Sequence, residues 1–165
     1  MIVVTDTSVV LNLCWLHHEA LLPAIYAEIL APSEVAREFA RQAATEPRFA
    51  GLRFPRFIVV ADPTFIPAVL AANRDLDPGE TAALALALER GIADVLIDER
   101  AGRAAAIALG LKVAGLLAVL VESRQRGLIP ELRPLLDALV SGARFWIGAD
   151  LRKEALRRAG EDSNT

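Results

Sequence analysis

One cysteine, two histidines and two lysines are the whole stock of those residue types in this chain, and each scarcity removes a class of function. Cys14 alone cannot form an intrachain disulfide, and in the run Val9-Val10-Leu11-Asn12-Leu13-Cys14 it reads as core packing. His17 and His18 have no partner at metal-ligand spacing and read as surface residues. Mean hydropathy is high, +0.38, yet the apolar residues come in short runs, none near the ~20 residues of a membrane span. The amino terminus opens on a strand pattern, without a basic segment leading into a cleavable apolar one, so no secretory signal is expected and cytoplasmic residence is. A Walker A loop and the glycine-rich dinucleotide fingerprint are both absent, which weighs against nucleotide binding. No repeat, low-complexity tract or linker marks a second domain, so residues 1–165 are read as one. A chain of that length buries roughly 70% of its unfolded surface and needs no metal or disulfide to fold.

Lysine is scarce, but positive charge is not. Of 18 basic residues only Lys112 and Lys153 are lysines, and arginine is the side chain whose fork matches phosphate oxygens two at a time. Arginine-rich codon usage explains the same composition. The net charge of −3 does not exclude a nucleic-acid partner, because with four carboxylates set aside as metal ligands, 18 basic residues face 17 acidic ones.

Strand and helix patterns alternate along the chain. Strand segments are expected at Ile2–Val4, Glu28–Ala31, Phe57–Ala61, Val95–Ile97 and Leu111–Ala114. Helices are expected over 9–16, 22–27, from Pro32-Ser33 onward, 65–73, 80–90, 99–109, 116–126, 131–140 and 150–159, with Gly91, Gly110 and Gly127 as stops. Phe145-Trp146-Ile147 reads as an extended segment or an apolar contact. Such alternation implies an α/β fold, a mainly parallel central sheet with helices on both faces.

Two of these strands run directly into an acid that opens a helix: Asp6 after Ile2-Val3-Val4, and Asp98 after Val95-Leu96-Ile97. Ligands of open α/β sheets bind beyond the carboxyl ends of the strands, so acids placed there point to a bound cation. Taken singly, each acid has a plainer role. Asp6 in Thr5-Asp6-Thr7-Ser8 and Asp98 in Ile97-Asp98-Glu99-Arg100 each read as a helix cap. Asp77-Pro78-Gly79-Glu80 reads as a capping box, with Glu80 stabilised by the helix N-terminus. Glu38 borders the apolar stripe of its helix and can pair with Arg41 or Arg37.

Together the four acids form an order that resembles the PIN-domain family over most of the chain. A first strand ends in Val4-Thr5-Asp6-Thr7-Ser8, a second acid stands in Val35-Ala36-Arg37-Glu38-Phe39, and a third opens the helix Pro78-Gly79-Glu80-Thr81-Ala82-Ala83. The fourth follows a strand in Leu96-Ile97-Asp98-Glu99-Arg100. Leu76-Asp77-Pro78-Gly79-Glu80, Asp98-Glu99-Arg100 and Leu111-Lys112-Val113-Ala114-Gly115 look like the small prokaryotic branch related to VapC toxins. Unlike the commonest toxin pattern, the third acid is Glu, whose length bears on metal spacing.

The resemblance implies a PIN-like three-layer sandwich and an Mg²⁺- or Mn²⁺-dependent endoribonuclease that leaves a 5′-phosphate and a 3′-hydroxyl. Residue chemistry agrees with such a cofactor, since Mg²⁺ and Mn²⁺ prefer oxygen ligands, and carboxylates ~4 Å apart repel by ~4 kcal/mol at an effective dielectric of 20 unless a cation or proton intervenes. By resemblance Asp6 and Glu80 are direct ligands, Asp98 ligates a second ion or acts through water, and Glu38 orients the attacking water. Thr7 and Ser8 support Asp6 or contact phosphate. For RNA binding, Arg100 and Arg103 are expected at the scissile phosphate. Arg37 and Arg41 belong to an arginine-rich stretch interleaved with Phe49, Phe54 and Phe57, which offers stacking faces or closes the core. The resemblance also implies a homodimer and a small antitoxin protein as partners, and no membrane. Two other classes stay open: a PIN-fold binding module without turnover, and another Mg-dependent α/β phosphohydrolase. The last is disfavoured because Ser8 stands where haloacid-dehalogenase-type phosphatases carry their second acid.

Overall fold

Successive residues of a strand point to opposite faces of its sheet, and this alternation sorts the apolar residues into two clusters. Val3, Ile29 and Leu96 join one cluster, whereas Val4, Leu30 and Val95 join the other. A computed structural model describes residues 1–161. Its strands are β1 (Ile2–Thr5), β2 (Glu28–Ala31), β3 (Ile58–Val60), β4 (Asp94–Leu96) and β5 (Lys112–Ala114), in the order β3-β2-β1-β4-β5 with every neighbouring pair parallel.

The helices are α1 (Thr7–Trp15), α2 (Leu21–Ile25), α3 (Ser33–Thr45), α4 (Ala68–Ala71), α5 (Pro78–Arg90), α6 (Arg100–Ala108), α7 (Leu116–Gln125), α8 (Arg133–Ser141) and α9 (Ala149–Arg158). The first three and last three of these pack residues such as Leu13, Leu22, Phe39, Leu120, Leu136 and Leu156 into one cluster. The other cluster is filled from α4, α5 and α6 by Leu70, Leu84, Leu86 and Ala106. The α/β sandwich expected from the sequence is therefore present, and its sheet is wholly parallel. A parallel sheet must be covered on both faces, which explains the near-continuous apolar runs of its central strands.

Two expected elements differ. The helix anticipated over 65–73 contracts to α4, because Pro67 restricts Ile66 away from helical backbone and itself holds the extended cap position. Strand β3 is only three residues long and leaves Val59 and Val60 about half exposed, as suits a sheet edge. Phe145-Trp146-Ile147 pairs with no strand and is the apolar contact of the two alternatives: Phe145 and Ile147 pack on the core while Trp146 is 84% exposed. Among the described residues no helix is long and apolar enough to cross a membrane.

From β1 the chain builds outward through β2 to β3, then returns to lay β4 along the other side of β1. The order reverses between β1 and β4, so the crevice at their carboxyl ends is the topological switch point at which such sheets bind ligands.

Candidate active site

Asp6 is the residue after β1, and Asp98 follows β4 by two. The main chain laces them together: Asp6 N–H donates to Leu96 O at 2.9 Å, and Asp98 N–H donates to Asp6 Oδ2 at 3.1 Å. Asp6 Oδ1 accepts the Val9 N–H at 3.0 Å, so the capping role read from sequence is real, and it coexists with the link to β4. Asp98 does not cap its own helix. Its Oδ1 accepts the N–H of Leu116, the first residue of α7, at 3.0 Å, while α6 has Glu99 at its cap position with no side-chain bond.

Glu80 completes the expected capping box: its N–H donates to Asp77 Oδ1 at 2.7 Å and its Oε2 accepts the Asp77 N–H at 3.0 Å. Glu38 comes in from α3, which packs on α5, with Oε2 accepting the Thr7 hydroxyl at 3.0 Å and Oε1 accepting Gln42 Nε2 at 3.2 Å. One oxygen each of Glu80 and Asp98, Oε1 and Oδ2, is buried without a hydrogen-bond partner. All four acids line a single cavity of about 410 Å³, together with Thr7 and Ser8.

Buried carboxylates without countercharge resist ionisation. Burial pushes Asp6 well above its ordinary value, and the negative charges of Asp98 and Glu80 add to the effect against the N–H groups of Val9 and Asp98. Asp98 is pushed up to about 6, again chiefly by burial, with the Leu116 N–H and the Arg103 guanidinium pulling the other way. Glu80 is raised by burial first, then by Asp77, Glu99 and Glu38. Two glycines make room for these side chains. A Cβ on Gly102 would stand 2.4 Å from Glu80 Oε1, and one on Gly115 would stand 2.3 Å from Asp98 Oδ1.

Among the described residues no three Asp, Glu, His or Cys side chains already converge closely enough to hold a metal ion. The donor chemistry nevertheless fits a hard divalent cation. Four carboxylates share one cavity with neither His nor Cys beside them, and two of them carry buried, unpartnered oxygens.

Arg48 of the arginine-rich stretch lines the cavity, but Arg37, Arg41, Arg100 and Arg103 stand elsewhere. Arg37 is exposed and pairs with Glu34 at 2.6 Å; Arg41 is exposed and lies 3.9 Å from Glu38; neither lines the cavity, nor does Arg100. Arg103 donates to Ile97 O at 3.0 Å and lines an adjoining cavity instead. The interleaved phenylalanines close the core rather than offering stacking faces: Phe49 is buried, Phe54 meets Phe39 edge-on at 5.4 Å, and Phe57 packs on the same cluster. Sequence reading missed Asp77 and Glu99, which add acid to the cavity, and Arg144 and Trp146, which reach it from the far end of the chain. The signal for the last two was an arginine and an indole within the short stretch between Gly142 and Gly148.

A family profile described as the PIN domain matches residues 2–161. No curated protein and no solved structure matches the chain.

Proposed function

The chain belongs to the PIN-domain family, and from that premise we propose that it is a metal-dependent endoribonuclease using the four-acid cavity as its active site. PIN domains are nuclease-type proteins that generally use divalent metals, and the observation that carries the finer reading is the pair of buried, unpartnered oxygens on Glu80 and Asp98, in the cavity that Asp6 and Glu38 also line. Asp6, Glu80 and Asp98 would hold the ion, which is Mg²⁺ or Mn²⁺. When bound, such an ion supplies Lewis acidity and lowers the pKa of water enough for attack on a phosphodiester.

The chain's own groups do the rest. Glu38, held by the Thr7 hydroxyl and Gln42, is positioned to orient a water and accept its proton. Asp6 is fixed at both oxygens by main-chain N–H groups, which sets its rotamer before any ligand arrives. Ser8 supplies a half-buried hydroxyl in the cavity lining as a phosphate contact. Attack in line expels the 3′-oxygen and leaves a 5′-phosphate.

The toxin role belongs to this proposal too. It rests on the likeness of Leu76–Glu80 and Asp98–Arg100 to VapC-type motifs, and it brings with it a cytoplasmic setting, a small antitoxin and a homodimer.

Incubating the protein and its Asp6→Asn variant with mixed RNA in Mn²⁺, Mg²⁺ or chelator tests the reading. Cleavage by the native protein with metal alone is expected. Equal cleavage by both proteins, or none by the native protein while it still binds Mn²⁺ and RNA, would defeat it.

A further inference from the structure

The acid cavity does not end at the acids. Asp98, Phe145 and Trp146 line both it and a second cavity of about 480 Å³, whose apolar surface comes from residues such as Leu117, Ala118, Val121 and Leu151 and whose basic groups are Arg103 and Arg158. An indole that is 84% exposed therefore stands where the two cavities meet.

The arm that carries it is anchored. Arg48 donates to Ala143 O at 2.5 Å while lying over the Phe49 ring, Phe145 N–H donates to Leu139 O at 2.9 Å, and Trp15 packs so closely on Gly142 that a Cβ there would come within 2.6 Å of its ring. The indole leans on Gly148, where a Cβ would stand 3.2 Å from Cη2. Its exposure is thus a feature of a fixed arm, and an exposed aromatic beside guanidinium groups is the chemistry by which proteins hold unpaired bases. Two acids line this second cavity: Asp98, which it shares with the four-acid site, and Glu154, which is engaged by Arg157 through two hydrogen bonds of 2.7 and 2.8 Å and so does not oppose a phosphate as a free charge.

We propose that the second cavity is a nucleobase subsite, in which an unpaired RNA nucleotide next to the scissile phosphate stacks on Trp146 with its backbone against Arg103 and Arg158. The inference rests on the ribonuclease reading for the position of the scissile phosphate, and it deepens that reading by restricting the substrate to strands unpaired at this point. A base held in a duplex cannot present its face to a side chain without leaving the stack.

Because the chain has only two tryptophans and Trp15 is packed against Gly142, indole fluorescence reports on the subsite. An eight-nucleotide mixed-sequence RNA, titrated in chelator so that no cleavage occurs, should quench the native protein, whereas its duplex with a complementary strand should not. Trp146→Leu should lose the quench and bind the single strand roughly 5- to 150-fold more weakly, the range for one base stack. Trp146→Phe should keep most of the affinity. Equal binding by Trp146→Leu, or equal quenching by the duplex, overturns the subsite, as does quenching by peptides with none by RNA. The two readings fail separately: quenching without cleavage in Mn²⁺ sinks the nuclease and leaves the subsite, whereas metal-dependent cleavage with unchanged KM in Trp146→Leu does the reverse.

Discussion

The N–H of Asp98 donates to Asp6 Oδ2 across 3.1 Å, so a carboxylate rather than a ladder bond closes the end of the β1–β4 pair. The same carboxylate caps α1 through Val9. Structure and proposed chemistry therefore load one side chain, and substitutions can separate them.

Asp6→Asn keeps the shape and one acceptor but removes the charge. Activity should fall by at least about 100-fold, the scale seen when a positioned electrostatic group is lost, with secondary structure by circular dichroism unchanged. Asp6→Ala removes the cap as well and should destabilise the fold by a further ~0.5–2 kcal/mol in urea unfolding. Near-native activity in Asp6→Asn would remove this residue from the site.

Without metal, the cavity should make the protein more stable in mild acid than at neutral pH. Asp98 titrates at about 6 when folded, against ~3.9 in an unfolded chain, so between those values the folded state binds a proton that the unfolded state does not. The penalty of its charge is fully present above 6 and is relieved as the pH falls toward 4; Asp6 and Glu80 are shifted in the same direction. Lowering the pH from 7.5 to 5 in chelator should add ~1–2 kcal/mol, discounted from the full shift because Asp98 is partly exposed. Asp98→Asn should flatten the profile, and saturating Mn²⁺ should raise the neutral-pH Tm by mass action. A Tm that falls steadily from pH 7.5 to 5 in chelator would contradict the charge crowding.

Gly102 lies in the first turn of α6, where alanine is ordinarily worth about 0.5–1 kcal/mol more than glycine. Here the sign should reverse. An added Cβ would stand 2.4 Å from Glu80 Oε1 and 2.8 Å from Ile97 Cγ2, both buried. Gly102→Ala should cost ~1–3 kcal/mol, typical of overpacking, and lower activity by displacing Glu80. A stabilised, fully active variant would show that Glu80 has room to spare.

What the sequence made legible was local. Asp77-Pro78-Gly79-Glu80 announced its capping box because all the partners lie within four residues, and Ile2-Val3-Val4 before Asp6 placed an acid at a strand end for the same reason. Alternating elements implied parallel pairing, but not that β4 would return beside β1. Asp98 was read as the cap of the next helix, whereas its partner is Leu116, 18 residues on, across the β5 crossover. Arg103 donates to Ile97 O and lines the adjoining cavity, a placement made by tertiary packing that no spacing encodes. Trp146 and Asp6 share a cavity despite lying at opposite ends of the chain.

Glu161 should matter to stability and not to chemistry. Its Oε1 accepts the Leu132 N–H at 2.5 Å and Arg124 Nε at 3.1 Å, and its Oε2 accepts the Arg133 N–H at 2.9 Å, so one carboxylate serves the N-terminus of α8 and ties α7 to the segment after α9. Burial works to raise its pKa, but the N–H groups of Leu132 and Arg133 and the Arg124 guanidinium outweigh it and leave the carboxyl below its ordinary value. A lowered acid contributes stability that is present above its unfolded pKa and lost as the pH falls through the folded one. Glu161→Ala should therefore lower stability at pH 7 by about 1–3 kcal/mol, the cost of charge-assisted bonds to main-chain donors left unpaired. The difference from the native protein should begin to shrink below about pH 4, as the pH falls from the unfolded value through the lowered folded one. Because Glu161 lies outside both cavities, activity per folded molecule should stay the same. Urea titrations at pH 7 and pH 3.5 measure the first two outcomes; a loss of turnover without a loss of stability would mean that α8 and the arm beyond it respond to this carboxylate in a way the hydrogen bonds do not explain.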